Sequence, residues 1–152
     1  MQEFYFKYIP ETDTYGAVQY TGDEPEIKVP EIQWGKPVTM LFDGLFSGHK
    51  EITSVILPDN ICFMGGFLFD GCTNLRHIQL PAKLENLWQY TFVRCGIEEI
   101  VLPENVKFIP PYAFKDCKNL KKLVCNDSLD EICTHAFDGC DNLSEIINKP
   151  KI

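Results

Sequence analysis

The sequence has little positive charge and no long hydrophobic run. Lysine and arginine number 14 against 22 aspartate and glutamate residues, which gives a formal net charge of -8. Nonspecific binding to DNA or RNA requires a basic surface that releases counterions, so we expect no nucleic-acid partner. The longest apolar stretches, such as ICFMGGFLF, are far shorter than the about 20 residues of a membrane helix. We therefore expect no membrane insertion.

The sequence also lacks a recognisable leader. Its first residues, MQEFYFKYIPETD, have no basic segment followed by a long apolar stretch. For the chain as given, this predicts a cytoplasmic location, and the alternative is a cell-surface or secreted protein from which a signal was removed. The seven cysteines cannot pair completely within one chain, which weakly favours a reducing compartment.

Common catalytic and cofactor motifs are missing as well. There is no GxGxxG after a strand pattern, no P-loop lysine motif, no HExxH and no GxSxG. We expect no enzyme activity, no cofactor and no metal site. A cysteine-dependent enzyme remains a minor alternative, because Cys133, His135 and Cys140 are close together in CTHAFDGC.

The sequence does contain an internal repeat of 22–23 residues. A unit of this length cannot bury its own apolar face, so the copies must stack on one another as a solenoid. When the copies are aligned, apolar residues recur at equivalent positions, which we call columns. The two most regular columns contain a single residue type each. Copies start at Ile52, Leu75, Ile97, Leu120 and Leu143, and the regular columns are Phe69, Phe92, Phe114 and Phe137, and Cys72, Cys95, Cys117 and Cys140.

Each copy predicts two short strands and a turn. In Ile100-Val101-Leu102 the first and third residues point inward, and Pro103 ends the strand because it has no N–H for the ladder. The segment from Val106 to Ile109 predicts the second strand. The following PPYAFKDC, with its prolines and alanine, predicts a single helical or 3₁₀ turn.

The pattern LPxxVxxIxxxAFxxCxxLxxI resembles the BspA-type leucine-rich repeat, a family of bacterial and protist surface and host-interaction proteins. The resemblance covers residues 52–142 as four repeats. It implies a right-handed, β-dominated leucine-rich-repeat solenoid of about five to six coils with an N-terminal β-hairpin cap. The same resemblance implies adhesion or host contact as the function.

The remaining segments fit one domain with these repeats. Residues 29–51 predict a degenerate first repeat, and residues 1–28, which are β-rich around PETDTYG, resemble the family's capping hairpin. Residues 143–152 predict a truncated last repeat with no visible cap. A structural spacer or a fragment of a longer array is therefore an alternative function. We expect a monomer rather than an end-to-end homodimer, because the net charge opposes association.

Two columns of side chains should point outward from the first strands, because the leucine columns point inward. One interpretation is that their β-branched residues only stabilise neighbouring strands. The other is that an apolar stripe rimmed by charges binds a protein whose identity is unknown. The candidate protein-binding residues are Ser54, Ile56, His77, Gln79, Glu99, Val101, Lys122 and Val124.

The cysteines and His49 are expected to be structural. One cysteine per coil predicts a buried ladder of free thiols, since unpaired cysteine behaves as a small hydrophobe in cores. Cys62 shares its column with charged residues and is predicted to be the most accessible thiol. His49 stands in the cysteine column and is predicted to be partly buried and hydrogen-bonded.

Overall fold

The computed structural model describes residues 2–150 and builds them from short β-strands and turns. Met1 of the predicted capping segment, and residues 151–152 of the predicted last repeat, lie outside the described residues. No helix within residues 2–150 is long and apolar enough to span a membrane. The strands are β1 (Glu3–Ile9), β2 (Thr14–Thr21), β3 (Glu26–Lys28), β4 (Ile32–Gln33), β5 (Lys36–Leu41), β6 (Ser54–Ile56), β7 (Phe63–Met64), β8 (Asn86–Leu87), β9 (Glu99–Val101), β10 (Phe108–Ile109), β11 (Lys122–Val124), β12 (Glu131–Ile132) and β13 (Glu145–Ile147).

Consecutive coils are joined by parallel strand pairs at two positions, which confirms the predicted solenoid. The first strands of the coils pair as β3 with β6, as β9 with β11, and as β11 with β13. The second strands pair as β5 with β7, as β7 with β8, and as β10 with β12. The result is a β-solenoid of about six turns whose apolar columns face one shared interior.

The expected helical or 3₁₀ turn takes the form of separate hydrogen-bonded turns. Lys115 N donates to Tyr112 O and Cys117 N donates to Phe114 O, both at 3.2 Å. Two residues of this segment have positive φ, Tyr112 at 61° and Asp116 at 59°. Because a right-handed helix requires negative φ at every residue, these two positions stop the turns from continuing into a helix.

The phenylalanine column is the central stack of the core. Phe69, Phe92 and Phe114 are completely buried, and the rings of Phe92 and Phe114 lie 5.1 Å apart and 2° from parallel. Phe46, from the predicted first repeat, extends the stack at 5.5 Å from Phe69. Phe137 adds the last ring, 5.1 Å from Phe114. The stack therefore runs through five successive coils and ties their interiors together.

The N-terminal hairpin covers one end of this stack. Strands β1 and β2 are antiparallel, and β2 pairs in parallel with β5 of the first coil. Tyr20 of the hairpin places its ring 5.4 Å from that of Phe46 and 5.1 Å from that of His49. Half-buried His49 is hydrogen-bonded through Nδ1 to Glu51 Oε1 at 2.6 Å, as predicted for a structural histidine.

The cysteine column is the predicted ladder of free thiols. The first three members are buried and Cys140, in the last of these coils, is half-buried. A thiol of this column donates to the backbone oxygen of the phenylalanine in the preceding coil, so the column links coils as well as filling space. These bonds join Cys72 to Phe46 at 3.2 Å, Cys117 to Phe92 at 2.9 Å and Cys140 to Phe114 at 2.9 Å.

We expect Phe114→Ala to lower the free energy of unfolding by about 3–5 kcal/mol, because it empties a large core site between two stacked rings. Phe108→Ala is the matched control, since Phe108 is 47% exposed. Its effect should stay within about 1 kcal/mol. Denaturant unfolding measures both, and equal effects of the two substitutions would show that the phenylalanine column is not the core.

We expect native thiol labelling to separate the cysteines into two classes. Burial raises the pKa of Cys95 to about 12 and raises the pKa of Cys72 as well, so both carry little reactive thiolate at pH 8. Cys62, Cys133 and Cys140 are half-buried, so they should react first. Accessibility does not single out Cys62, because Cys140 is half-buried too.

A time course of labelling followed by mass spectrometry tests this order. Cys72, Cys95 and Cys117 should react only after denaturant is added. Labelling of Cys95 at the rate of Cys133 in the native protein would contradict the buried ladder.

Candidate interaction surface

Half of the predicted binding residues lie together on the sheet formed by β9, β11 and β13. Glu99 is the register partner of Lys122, and Val101 is the partner of Val124. Val101 is 54% exposed, while the other three side chains are half-buried. Opposite charges and apolar side chains therefore lie in two adjacent rows on one open surface.

Ser54 and Ile56 lie on a different sheet. Both belong to β6, whose one strand partner within residues 2–150 is β3, in the register Glu26 with Ser54 and Lys28 with Ile56. Ile56 is 60% exposed, so this sheet continues the apolar row toward the N-terminus. The two sheets do not touch through strand pairing, because the coil between them contributes no first strand.

The first strand predicted at His77–Gln79 is not formed, and this is the main departure from the sequence prediction. Within residues 2–150, the segment 77–80 makes no backbone–backbone hydrogen bond. After β3, β9 and β11 the next residue donates across the coil boundary, as Leu102 N does to Val124 O at 2.9 Å. The equivalent bonds from Leu57 and Leu80 are missing among the described residues.

Two local features of the coil 75–96 account for the missing strand. Gln79 stands where the other coils have β-branched residues, which favour a pleated strand. The coil is also one residue short at Gly96, where a Cβ would collide with the backbone oxygen of Thr73. Arg76 Nη1 fills this tight junction by donating to Thr73 O at 2.8 Å and Gly96 O at 3.2 Å.

The second strands are interrupted at the same coil boundary. Strand β8 pairs with β7 but not with β10 of the next coil. Trp88 N donates to Met64 O at 3.1 Å, but the residue one coil further on is Pro110, which has no N–H to continue this column. Neither strand ladder is therefore formed between the coil 75–96 and the coil that follows it, although Glu98 N donates to Arg76 O at 2.9 Å just before the first strand.

A cleft opens on the outer surface at this interruption. It has a volume of about 530 Å³ and is lined by Val55, His77, Ile78, Gln79, Leu80, Ala82, Glu99, Val101 and Pro103. A smaller cavity of about 200 Å³ lies on the other side of Gln79, against Ile56 and Asp59. Four of the predicted binding residues, His77, Gln79, Glu99 and Val101, therefore line one concave feature.

The carboxylates at and beside the cleft have cationic neighbours: Glu99 is the register partner of Lys122, and Glu98 Oε2 lies 3.9 Å from Lys121 Nζ. Glu99 lines the cleft, and Glu98 Oε1 lies 3.9 Å from Nε2 of His77. The His77 side chain is 78% exposed, so this contact is a weak surface pair. No lysine or arginine is among the residues that line either cavity.

The structure does not bring the residues of the cysteine-enzyme alternative into a catalytic pair. His135 Nδ1 is hydrogen-bonded to Asp138 Oδ2 at 2.7 Å, and its ring stacks on Tyr112. No hydrogen bond joins Cys133 to His135 in the described part of the chain, and burial raises the pKa of Cys133. Within residues 2–150, no three His, Cys, Asp or Glu side chains are grouped so that they could hold a metal ion.

The structure also has a second exposed surface, which was not predicted from the sequence. Phe67, Tyr90, Tyr112 and His135 form a ladder of rings 4.9, 5.2 and 5.5 Å apart, each within 8° of parallel to the next. All four residues have positive φ, and Phe67 is 44% exposed. These four residues share one position of the repeat, but the residue types alone give no sign of the exposed edge.

Comparison with known families and structures agrees with this geometry. The BspA type leucine rich repeat region matches residues 39–152 in six copies, which is well over half of the chain. No curated protein is significantly similar to the chain.

Three solved bacterial proteins have the same fold. The T. pallidum leucine rich repeat protein TpLRR superimposes with a TM-score of 0.89 at 27% identity, over 97% of this chain and 80% of that one. A leucine rich cell surface protein of Faecalibacterium prausnitzii gives 0.62 at 20% identity, over 96% and 54% of the two chains. A leucine-rich repeat protein of Bacteroides ovatus gives 0.59 at 17% identity, over 95% and 51%. The chain belongs to the BspA-type leucine-rich repeat family.

Proposed function

We propose that this chain is a non-enzymatic module that binds a protein partner through the open face of its first strands. Leucine-rich repeat families commonly mediate protein–protein interaction. The observation that carries the proposal is the adjacent pairing of Val101 with Val124 and of Glu99 with Lys122 on a preformed surface. An apolar row beside a charged row matches the central and rim parts of a protein interface.

The extent of the surface supports binding over a purely structural spacer. Exposed apolar side chains continue on both sides of the Val101 and Val124 pair, at Ile56 with 60% exposure and Ile147 with 39% exposure. A row of this length fits a macromolecular partner better than a small molecule.

Adhesion or host contact at the cell surface is the biological role that we propose for this binding. It rests on the family, whose members are usually surface or secreted proteins. Treatment of intact cells with a protease tests the location, because only a surface protein is cleaved. The expectation of a monomer rather than an end-to-end homodimer stays a prediction.

The experiment that tests the binding face is capture of partners from the native host by the double variant Val101→Glu, Val124→Glu. Two carboxylates in the apolar row should weaken binding by about tenfold or more, because they would be buried without a counter-ion in the complex. The matched control is Phe108→Glu, Trp88→Glu, which places the same charge on two exposed residues, one in β10 and one directly after β8.

Both variants should keep the melting temperature of the parent to within a few degrees, since all four side chains are at least partly exposed. Loss of capture by the first variant and retention by the control supports the open face as the binding surface. Equal capture by both variants would assign binding to another surface.

A further inference from the structure

The coil 75–96 exposes part of an apolar column that is buried in its neighbours. Ile78 stands in the column of Val55, Ile100 and Leu123, which are all buried, yet Ile78 is only half-buried. The difference coincides with the strand that is missing at residues 77–79. Ile78 lines the cleft together with the buried side chains of Val55 and Leu80. The floor of the cleft therefore consists of core residues.

The rim of the cleft is polar but offers little to a charged ligand. His77 and Gln79 line it with exposed side chains, and within residues 2–150 the side-chain amide of Gln79 has no hydrogen-bond partner. Its donor and acceptor are therefore available to a ligand. Glu99 also lines the cleft, and its register partner is Lys122. Because this carboxylate already has a cationic neighbour, a charged ligand group would lose its hydration without gaining an unpaired counter-charge.

The size and lining of the cleft match an aromatic side chain. The cleft has a volume of about 530 Å³, and its apolar floor and polar rim suit a group such as tyrosine, which combines a large apolar ring with a polar tip. Aromatic side chains seated in pockets supply much of the binding energy at protein interfaces. In the exposed apolar row, Gln79 stands between Ile56 and Val101, so a group bound in this cleft lies within the proposed interface.

We propose that the cleft binds one uncharged aromatic side chain of the partner protein, with the ring against Ile78 and Leu80 and the polar tip at Gln79. This rests on the proposed function, because it names the group of the partner that contacts the open face. The side chain enters from the open face and requires no separation of coils. The bond from Glu98 N to Arg76 O and the ring stacking across the same boundary therefore stay intact.

The probe is N-acetyl-tyrosinamide, titrated into isotopically labelled protein and followed by NMR. The amide signals of Ile78, Leu80 and Val101 should shift saturably with a Kd on the order of 1 mM, because so small a ligand makes few contacts. N-acetyl-alaninamide and N-acetyl-lysinamide should bind at least about fivefold more weakly. Equal binding of either compound would overturn the choice of an uncharged aromatic group. The absence of a saturable shift up to about 20 mM would overturn the cleft as a binding site.

Filling the cleft by mutation localises the site. Ala82→Trp places a large ring among the lining residues and should weaken probe binding by about tenfold or more. The matched control is Lys83→Trp, at an exposed neighbouring position that does not line the cleft, and it should bind the probe like the parent protein. Ala82→Leu replaces the tryptophan variant if that variant melts well below the parent. Unchanged probe binding in a folded Ala82 variant, or an equal loss in the control, would overturn the assigned site.

Val124→Glu distinguishes failure of this proposal from failure of the proposed function. Val124 belongs to the open face but does not line the cleft, so its variant should bind the probe while losing the natural partner. Loss of partner capture by Val124→Glu but not by Ala82→Trp would leave the proposed function standing and overturn the cleft as the partner's site. Retained partner capture by both variants, with the probe bound at the cleft of the parent protein, would overturn the proposed function instead.

Discussion

The controlling constraint in this fold is that the strands of a coil find their backbone partners in the coils next to it. Strands of two or three residues have no partner within their own repeat, so their N–H and C=O groups must find one across a coil boundary. This explains polar residues at fixed repeat positions. Asn74 donates to Lys50 O at 2.7 Å, and Asn142 donates to Lys118 O at 2.7 Å. Asn126, which replaces the usual proline, donates to the backbone oxygens of Pro103 and Val106.

Most of the architecture was predictable because the same residue pattern recurs in several copies, so that each structural requirement is visible more than once. The columns of phenylalanine and cysteine correctly predicted which side chains fill the interior, including the buried rings of Phe69, Phe92 and Phe114. Glycine at Gly48, Gly71 and Gly139 also marked a recurring left-handed position, with φ between 75° and 80°. The same column contains Arg94 and Asp116, also at positive φ, where nothing in the residue type indicates this conformation.

The interruption at the coil 75–96 could not be predicted in the same way, although its cause was visible. The 22-residue step and Gln79 are single events that no other copy repeats. The effect of these two departures depends on the spacing between the backbones of adjacent coils. A pattern of apolar residues carries no information on that spacing. Four of the eight predicted binding residues line the resulting cleft, so the sequence identified the face but not its most distinctive feature.

Turn-side contacts continue at the boundary where neither strand ladder is formed. Phe92 N donates to Ala113 O and Arg94 N donates to Lys115 O, both at 2.9 Å, and the rings of Tyr90 and Tyr112 remain stacked at 5.2 Å. Both ladders resume at the next boundary, where β9 pairs with β11 and β10 pairs with β12. The disturbance caused by one irregular copy is thus confined to its own boundaries, because each coil of a solenoid contacts only its neighbours.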